Sequence, residues 1–240
     1  MLNEMRRINI FTGNFGSGKT EIALNFAMEL HRQGREVTVV DLDIINPYFR
    51  TRVVKDRLAA LGVDVVCPDR RLMNADLPAL SPAIRGVLEG NRGYGAIDVG
   101  GDEIGTTVLG RFRNNLTAGA FHLFLVVNTC RPFTRDVEGI IRQMDGIERA
   151  ARVKVTALVS NTNLGPGTGL ETVRAGHRIV AGAAAELGLP VAFAGARREL
   201  APSLQDLGVP VLPLDFYMKP PWPNGDFLIE TTEEGIIWQE

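Results

Sequence analysis

The stretch Gly13-Asn14-Phe15-Gly16-Ser17-Gly18-Lys19-Thr20 satisfies G-x-x-x-x-G-K-[ST] at every fixed position, between the apolar runs Ile8-Asn9-Ile10-Phe11 and Ile22-Ala23-Leu24-Asn25-Phe26-Ala27. A string of this kind, following a strand and opening a helix, predicts a phosphate-binding loop. Phosphate oxygens require several donors converging at short range, and glycines at 13, 16 and 18 let successive backbone N–H groups turn inward without Cβ interference. Lys19 is expected to reach the β- and γ-phosphates. Thr20 offers a hydroxyl to Mg²⁺, and the helix N-terminus, which includes Glu21, adds a field favourable to negative charge. Gly13 through Glu21 are therefore read together as nucleotide-binding.

The rest of the chain suits such a loop. At 240 residues it is long enough for one large α/β domain with a sizeable core. A net charge of −2, from 26 basic and 28 acidic residues, argues against a dedicated nucleic-acid surface. Cys67 and Cys130 form no C-x-x-C and no Cys/His cluster, so neither a disulfide framework nor a protein-held metal centre is expected, and a reducing cytoplasm fits. No apolar signal region opens the chain, and no apolar run approaches the roughly 20 residues needed to span a bilayer, so no membrane association is expected. His31, His122 and His177 lack metal-ligand spacing and are expected on helix or strand surfaces.

Short Val/Ile/Leu-rich runs alternate with helical-period stretches, the pattern of repeated βα units. Strands are predicted at 7–12, 36–41, 63–67, 94–98, 121–127, 153–159, 190–194 and 209–212, and helices at 19–32, 51–61, 79–89, 105–115, 134–150, 169–187 and 198–207. The predicted fold is a three-layer α/β/α P-loop NTPase fold with a mostly parallel central sheet, over residues 1–215. From Pro213 the composition shifts to proline, tryptophan and an acidic run. Residues 216–240 therefore read as an extended tail lying on the domain or on a partner.

Three further stretches carry chemistry. Val39-Val40-Asp41-Leu42-Asp43 ends a strand in two carboxylates, which in an open α/β sheet emerge at the ligand crevice beside Lys19 and Thr20. Asp43 is expected to orient an attacking water and Asp41 to reach the Mg²⁺ shell, with a turn cap as the other reading of Asp41. Asn46-Pro47-Tyr48-Phe49-Arg50-Thr51-Arg52 follows, and reads either as a switch segment whose guanidinium groups meet a phosphoryl group or acidic partner, or as a solvated helix start. Ile97-Asp98-Val99-Gly100-Gly101 matches a Walker-B position followed by D-x-x-G. Asp98 would hold a water of Mg²⁺ and Gly101 would present an N–H to the γ-phosphate, with Asp102 and Glu103 adding charge that moves when that contact is lost. Asn161 closes a later strand with an amide suited to a purine edge, or else serves the turn before Gly165-Pro166-Gly167. The chain lacks N-K-x-D, the string whose carboxylate selects guanine, so adenine is favoured and ATP with Mg²⁺ is the expected ligand. Arg131-Pro132-Phe133-Thr134 receives no chemistry beyond Thr134 as a helix cap.

The ordered set G-N-F-G-S-G-K-T, V-D-L-D, D-V-G-G and V-S-N resembles the MinD, ParA and Mrp-like P-loop ATPases, the CobQ/CobB/MinD/ParA nucleotide-binding group, over roughly residues 7–215. The resemblance implies ATP with Mg²⁺ and nucleotide-gated association of two chains. It matches Lys19 and Thr20 to the phosphate loop, Asp43 to the hydrolytic aspartate, Asp98 to the Walker-B aspartate and Asn161 to the base contact. Asn14 stands where dimerising members carry a second lysine, and the paired cysteines of the iron–sulfur carriers are missing. Three functions remain open from sequence: a slow ATPase acting as a nucleotide-gated switch with a second copy or a protein partner, an ATP-dependent small-molecule ligase or kinase of the dethiobiotin-synthetase type, and a binding-only nucleotide adaptor.

Overall fold

The computed structural model describes residues 5–43, 54–67, 82–90, 92–101, 103–112, 116, 120–218, 231–232 and 235–236. Its axis is β1 (Ile8–Thr12), buried at every position, as an apolar run covered on both faces must be. Alternation along β1 sends Phe11 to one side of the sheet, where it meets Phe26 and Phe124 at ring-centroid distances of 5.1 and 5.2 Å. Ile8 and Ile10 join the cluster on the other side.

Seven more strands extend the sheet: β2 (Val37–Leu42), β3 (Asp64–Val66), β4 (Tyr94–Val99), β5 (Phe121–Val127), β6 (Ala157–Ser160), β7 (Val191–Arg197) and β8 (Val211–Leu214). The spatial order is β3-β2-β4-β1-β5-β6-β7-β8, with every pairing parallel. Helix α1 (Lys19–Arg32) and α2 (Lys55–Ala60) bury Ile22, Phe26 and Leu58 on the Phe11 face. On the Ile10 face lie α3 (Pro82–Glu89), α4 (Glu103–Phe112), α5 (Val137–Ala151) and α6 (Leu170–Leu187), contributing Leu88, Leu109, Ile147 and Val180. These are the three layers of the predicted P-loop NTPase fold. The chain turns from the β2 side of β1 to the β5 side after β4, and such a switch point opens a crevice at the carboxyl ends of the strands.

Several expectations need correction. The strand predicted at 153–159 begins only at Ala157, because Arg152 ends α5 in the left-handed region at φ 55° and the chain needs Val153–Thr156 to reach the sheet. The helix predicted at 198–207 is 3₁₀ over Ala201–Leu207 and kinked at Leu204. Pro202 sits in its first turn. Thr134 does not cap α5: its hydroxyl donates to the Asn128 carbonyl at 2.7 Å, and Asp136 caps the helix by accepting the Gly139 N–H at 2.8 Å. His177 is buried rather than superficial, with Nε2 3.1 Å from the Leu207 carbonyl oxygen. In the predicted tail, Tyr217 and Met218 pack into the Phe11 cluster, and β9 (Thr231–Thr232) pairs antiparallel with β10 (Gly235–Ile236). Among the described residues no helix is long and apolar enough to cross a membrane.

Candidate functional site

The phosphate loop leaves β1 at Thr12 and enters α1 at Lys19, and its turns use conformations that favour glycine, with φ of 75° at Gly16 and 80° at Gly18. A Cβ at Gly13 would collide with the Val126 carbonyl, so β5 approaches the loop too closely for any side chain there. Asn14 turns its carboxamide onto its own loop, Oδ1 accepting the Phe15 N–H at 2.8 Å, while the Phe15 ring projects into solvent.

Lys19 and the three expected carboxylates come together. Register sets Asp41 of β2 beside Asp98 of β4. Asp43, one residue past β2, places Oδ2 2.8 Å from Lys19 Nζ, and both groups are buried. Its N–H donates to Asp41 Oδ1 at 3.1 Å, so the two carboxylates are fixed relative to each other as in a turn cap. Thr20 donates its hydroxyl to Asp98 Oδ2 at 2.6 Å. Gly101 comes so close that a Cβ there would overlap the Gly13 carbonyl, bringing the D-x-x-G turn onto the phosphate loop.

Three carboxylates around one ammonium make this crevice electrostatically unbalanced. Burial opposes the charge on Lys19, but Asp98, Asp43 and Asp41 together hold its pKa above the ordinary value. Asp98 is pushed up to about 7, first by burial and then by Asp41 and Asp43, against the pull of Lys19 and the Thr20 hydroxyl. Its Oδ1 is buried with no hydrogen-bond partner among the described residues. A hard cation fits this set of oxygens. Among the described residues no group of three acidic, His or Cys side chains could hold a metal alone.

On the other side of β1 the side chains are amides. Asn161 is buried and donates from Nδ2 to the Ser17 carbonyl at 2.7 Å, so the side chain expected at a base edge also braces the phosphate loop. It lines a cavity together with Gly18, Asn163, Gly195, Arg197 and Phe216. Two residues without assigned chemistry hold the same loop. Asn128, at the end of β5, donates to the carbonyls of Gly16 and Asn163 at 3.1 and 3.0 Å. Arg131 donates from Nε to the Gly16 carbonyl at 3.1 Å, and a Cβ at Gly16 would lie 2.6 Å from that nitrogen. The available signal for both was a polar residue at or just past the carboxyl end of a central strand. Glu21 is engaged by the segment after β8: its carboxylate accepts the N–H groups of Tyr217 and Met218 at 3.1 and 2.6 Å. Arg50, Arg52 and Asp102 lie outside the described residues, as does the side chain of Glu103.

No family model matches the chain, and no curated protein matches it. Solved structures do. FtsY from Mycoplasma mycoides superposes with a TM-score of 0.56 at 18% identity, covering 80% of this chain and 60% of that one. Chloroplast FtsY from Physcomitrella patens gives 0.56 at 19% identity, covering 80% and 59%. The signal recognition particle receptor FtsY from Elizabethkingia anophelis, solved in complex with GDP, gives 0.51 at 20% identity, covering 80% and 57%. The chain thus spans about three fifths of the length of these proteins and shares their P-loop NTPase fold.

Proposed function

We propose that this chain binds a nucleoside triphosphate, ATP in preference to GTP, with Mg²⁺, and hydrolyses it slowly as a nucleotide-gated switch. The observation carrying this reading is the buried Lys19–Asp43 pair at 2.8 Å beside the glycine loop. An arriving γ-phosphate competes with Asp43 for the ammonium, so binding and release of the catalytic carboxylate become one event. Lys19 then neutralises charge on the phosphate oxygens, and Asp43 orients the attacking water by accepting a hydrogen bond from it and takes its proton as the water adds to phosphorus, passing that proton on to the released phosphate. A new bond forms between the water oxygen and the γ-phosphorus as the bond to the bridging oxygen breaks and the diphosphate leaves.

Thr20 and Asp98 would hold Mg²⁺, with Asp41 behind them; when bound, that ion would neutralise negative charge on the phosphate oxygens. The crowding of Asp41, Asp43 and Asp98 supports this, since a triphosphate entering next to three carboxylates needs more positive charge than one lysine brings. Gly101 would report the γ-phosphate by its N–H; of the segments that loss of this contact is expected to move, near 43–52 and 98–106, residues 44–52 and 102 lie outside the described residues.

The preference for adenine is supported at the cavity beside Asn161. Its one lining carboxylate among the described residues, Glu21, is occupied by backbone N–H groups, so none is placed to accept from the guanine N1–H and exocyclic amine. The related fold bound to GDP makes this preference a direct object of test. Membership of the MinD, ParA and Mrp-like group rests on the four motifs, with Asn14 replacing the lysine that reaches a facing chain. Steady-state phosphate release with ATP and Mg²⁺, and no other substrate, tests the reading. Release abolished in both Lys19→Ala and Asp43→Ala is expected. Release that requires an added metabolite would instead favour the ligase or kinase, and binding without turnover the adaptor.

A further inference from the structure

We propose that Phe216 is the side chain on which the nucleobase stacks, and that the phosphate-loop helix itself holds this ring in place. The inference rests on the reading that the loop binds a nucleoside triphosphate.

Beyond β8 the chain turns back along α1 and is fastened at nearly every residue. Asn25 of α1 grips Asp215 twice, Oδ1 accepting its N–H at 2.8 Å and Nδ2 donating to its carbonyl at 2.9 Å. The Asp215 carboxylate accepts from Arg198 at 2.7 and 2.6 Å and from Arg32 at 3.2 Å. Glu21, two residues from Lys19, takes the N–H groups of both Tyr217 and Met218. The Arg57 guanidinium lies 5.2 Å from the Tyr217 ring centroid. Tyr217 and Met218 are 6% and 8% exposed, whereas Phe216 between them is 56% exposed. The apolar ring that this heavily anchored strap leaves outside is the one lining the cavity next to the phosphate loop.

The remaining lining fits a base rather than a general apolar ligand. A purine has two apolar faces and a polar edge, and aromatic side chains take the face of any base while amides take the edge. Phe216 supplies the first and Asn161 the second, while the Asn163 amide is taken up by the Asn161 carbonyl and the Gly165 N–H. Gly195 lets Asn161 pack directly on β7, since a Cβ there would lie 2.6 Å from Ile22 Cδ1 and 2.8 Å from Asn161 Oδ1. Since Glu21 and Asn25 belong to the helix that starts at Lys19, the distance between a bound phosphate and the stacking ring is set by one rigid element.

Calorimetry on the full chain separates this role from a structural one. The wild type, Phe216→Ala and Phe216→Trp are each titrated with ATP and with tripolyphosphate, both in Mg²⁺, and their melting temperatures are recorded. Phe216→Ala is expected to weaken ATP about tenfold, the usual loss when one stacking aromatic is removed, with tripolyphosphate affinity and melting temperature unchanged. Phe216→Trp should restore ATP affinity. ATP affinity within about twofold of wild type in Phe216→Ala, or a loss shared by tripolyphosphate or accompanied by a lower melting temperature, overturns the assignment. A wild type that binds neither ligand removes the nucleotide reading itself, a different failure recognised before any variant is made.

Discussion

On the β2–β4 side of β1, four charged groups sit within one buried crevice: Lys19 against Asp43, and Asp41 and Asp98 in register on adjacent strands. On the β5–β8 side, two amides and one guanidinium do the holding, with Asn161, Asn128 and Arg131 all donating to the backbone of the phosphate loop. On the proposed reading, the contrast follows from what each side would have to meet. Phosphate demands opposed charge at fixed points, and each buried charge is costly unless matched, so that side is intolerant of substitution. A flat aromatic ligand demands a slot of the right width with a few donors at its rim, and shape of that kind is distributed over many residues that each matter less.

Substitutions can break this contrast, beginning with the charged side. Lys19→Ala should lower turnover by at least about 10²–10³-fold, the effect of removing one donor to transition-state charge, and should also weaken nucleotide binding. An equal loss on substituting Phe216 would erase the distinction between the two sides. Gly101→Ala should act through packing, because its Cβ meets the Gly13 carbonyl, which cannot rotate away as a side chain would. A cost of about 1–3 kcal/mol, at about 2–4 °C per kcal/mol, should appear as a lower melting temperature.

The smallest effect lies at the strap. Burial pushes the Glu21 carboxyl up to about 7, outweighing the two N–H groups and Arg57 that pull it down. An exposed glutamate titrates near about 4.3, so between those values the folded chain binds more protons than the unfolded chain. The stability contributed by Glu21 is therefore full below about pH 4 and is lost as pH rises through about 7. Asp98, also raised to about 7 by burial, acts in the same sense. Thermal melts of Glu21→Gln across this range should show a shallower fall with pH than wild type, with the Asp98 share remaining. An unchanged slope would mean that the strap does not sense this carboxyl.

The same contrast explains what could be read from the chain alone. The phosphate side is written in contiguous strings, because a loop, a strand end and a D-x-x-G turn each bring their chemistry within a few residues. Lys19, Thr20, Asp43 and Asp98 could therefore be named with their surroundings, and the parallel sheet followed from the apolar runs between them. Asn128, Arg131, Asn163 and Phe216 stand beyond the ends of three different strands and Gly195 lies inside a fourth, and no local pattern ties them together. Even Glu21, adjacent to the motif, serves residues 217 and 218, a contact 196 positions away in the chain. Element ends were displaced for local reasons, as at Arg152 and Pro202, where a left-handed residue and a missing N–H decided the geometry.

Calorimetric titration of the purified chain with ATP, GTP and their diphosphates in the presence of Mg²⁺ bears most directly on the central claim. A heat of binding for ATP that exceeds that for GTP and is lost in Lys19→Ala is expected. No heat from any of these ligands at millimolar concentration would contradict it.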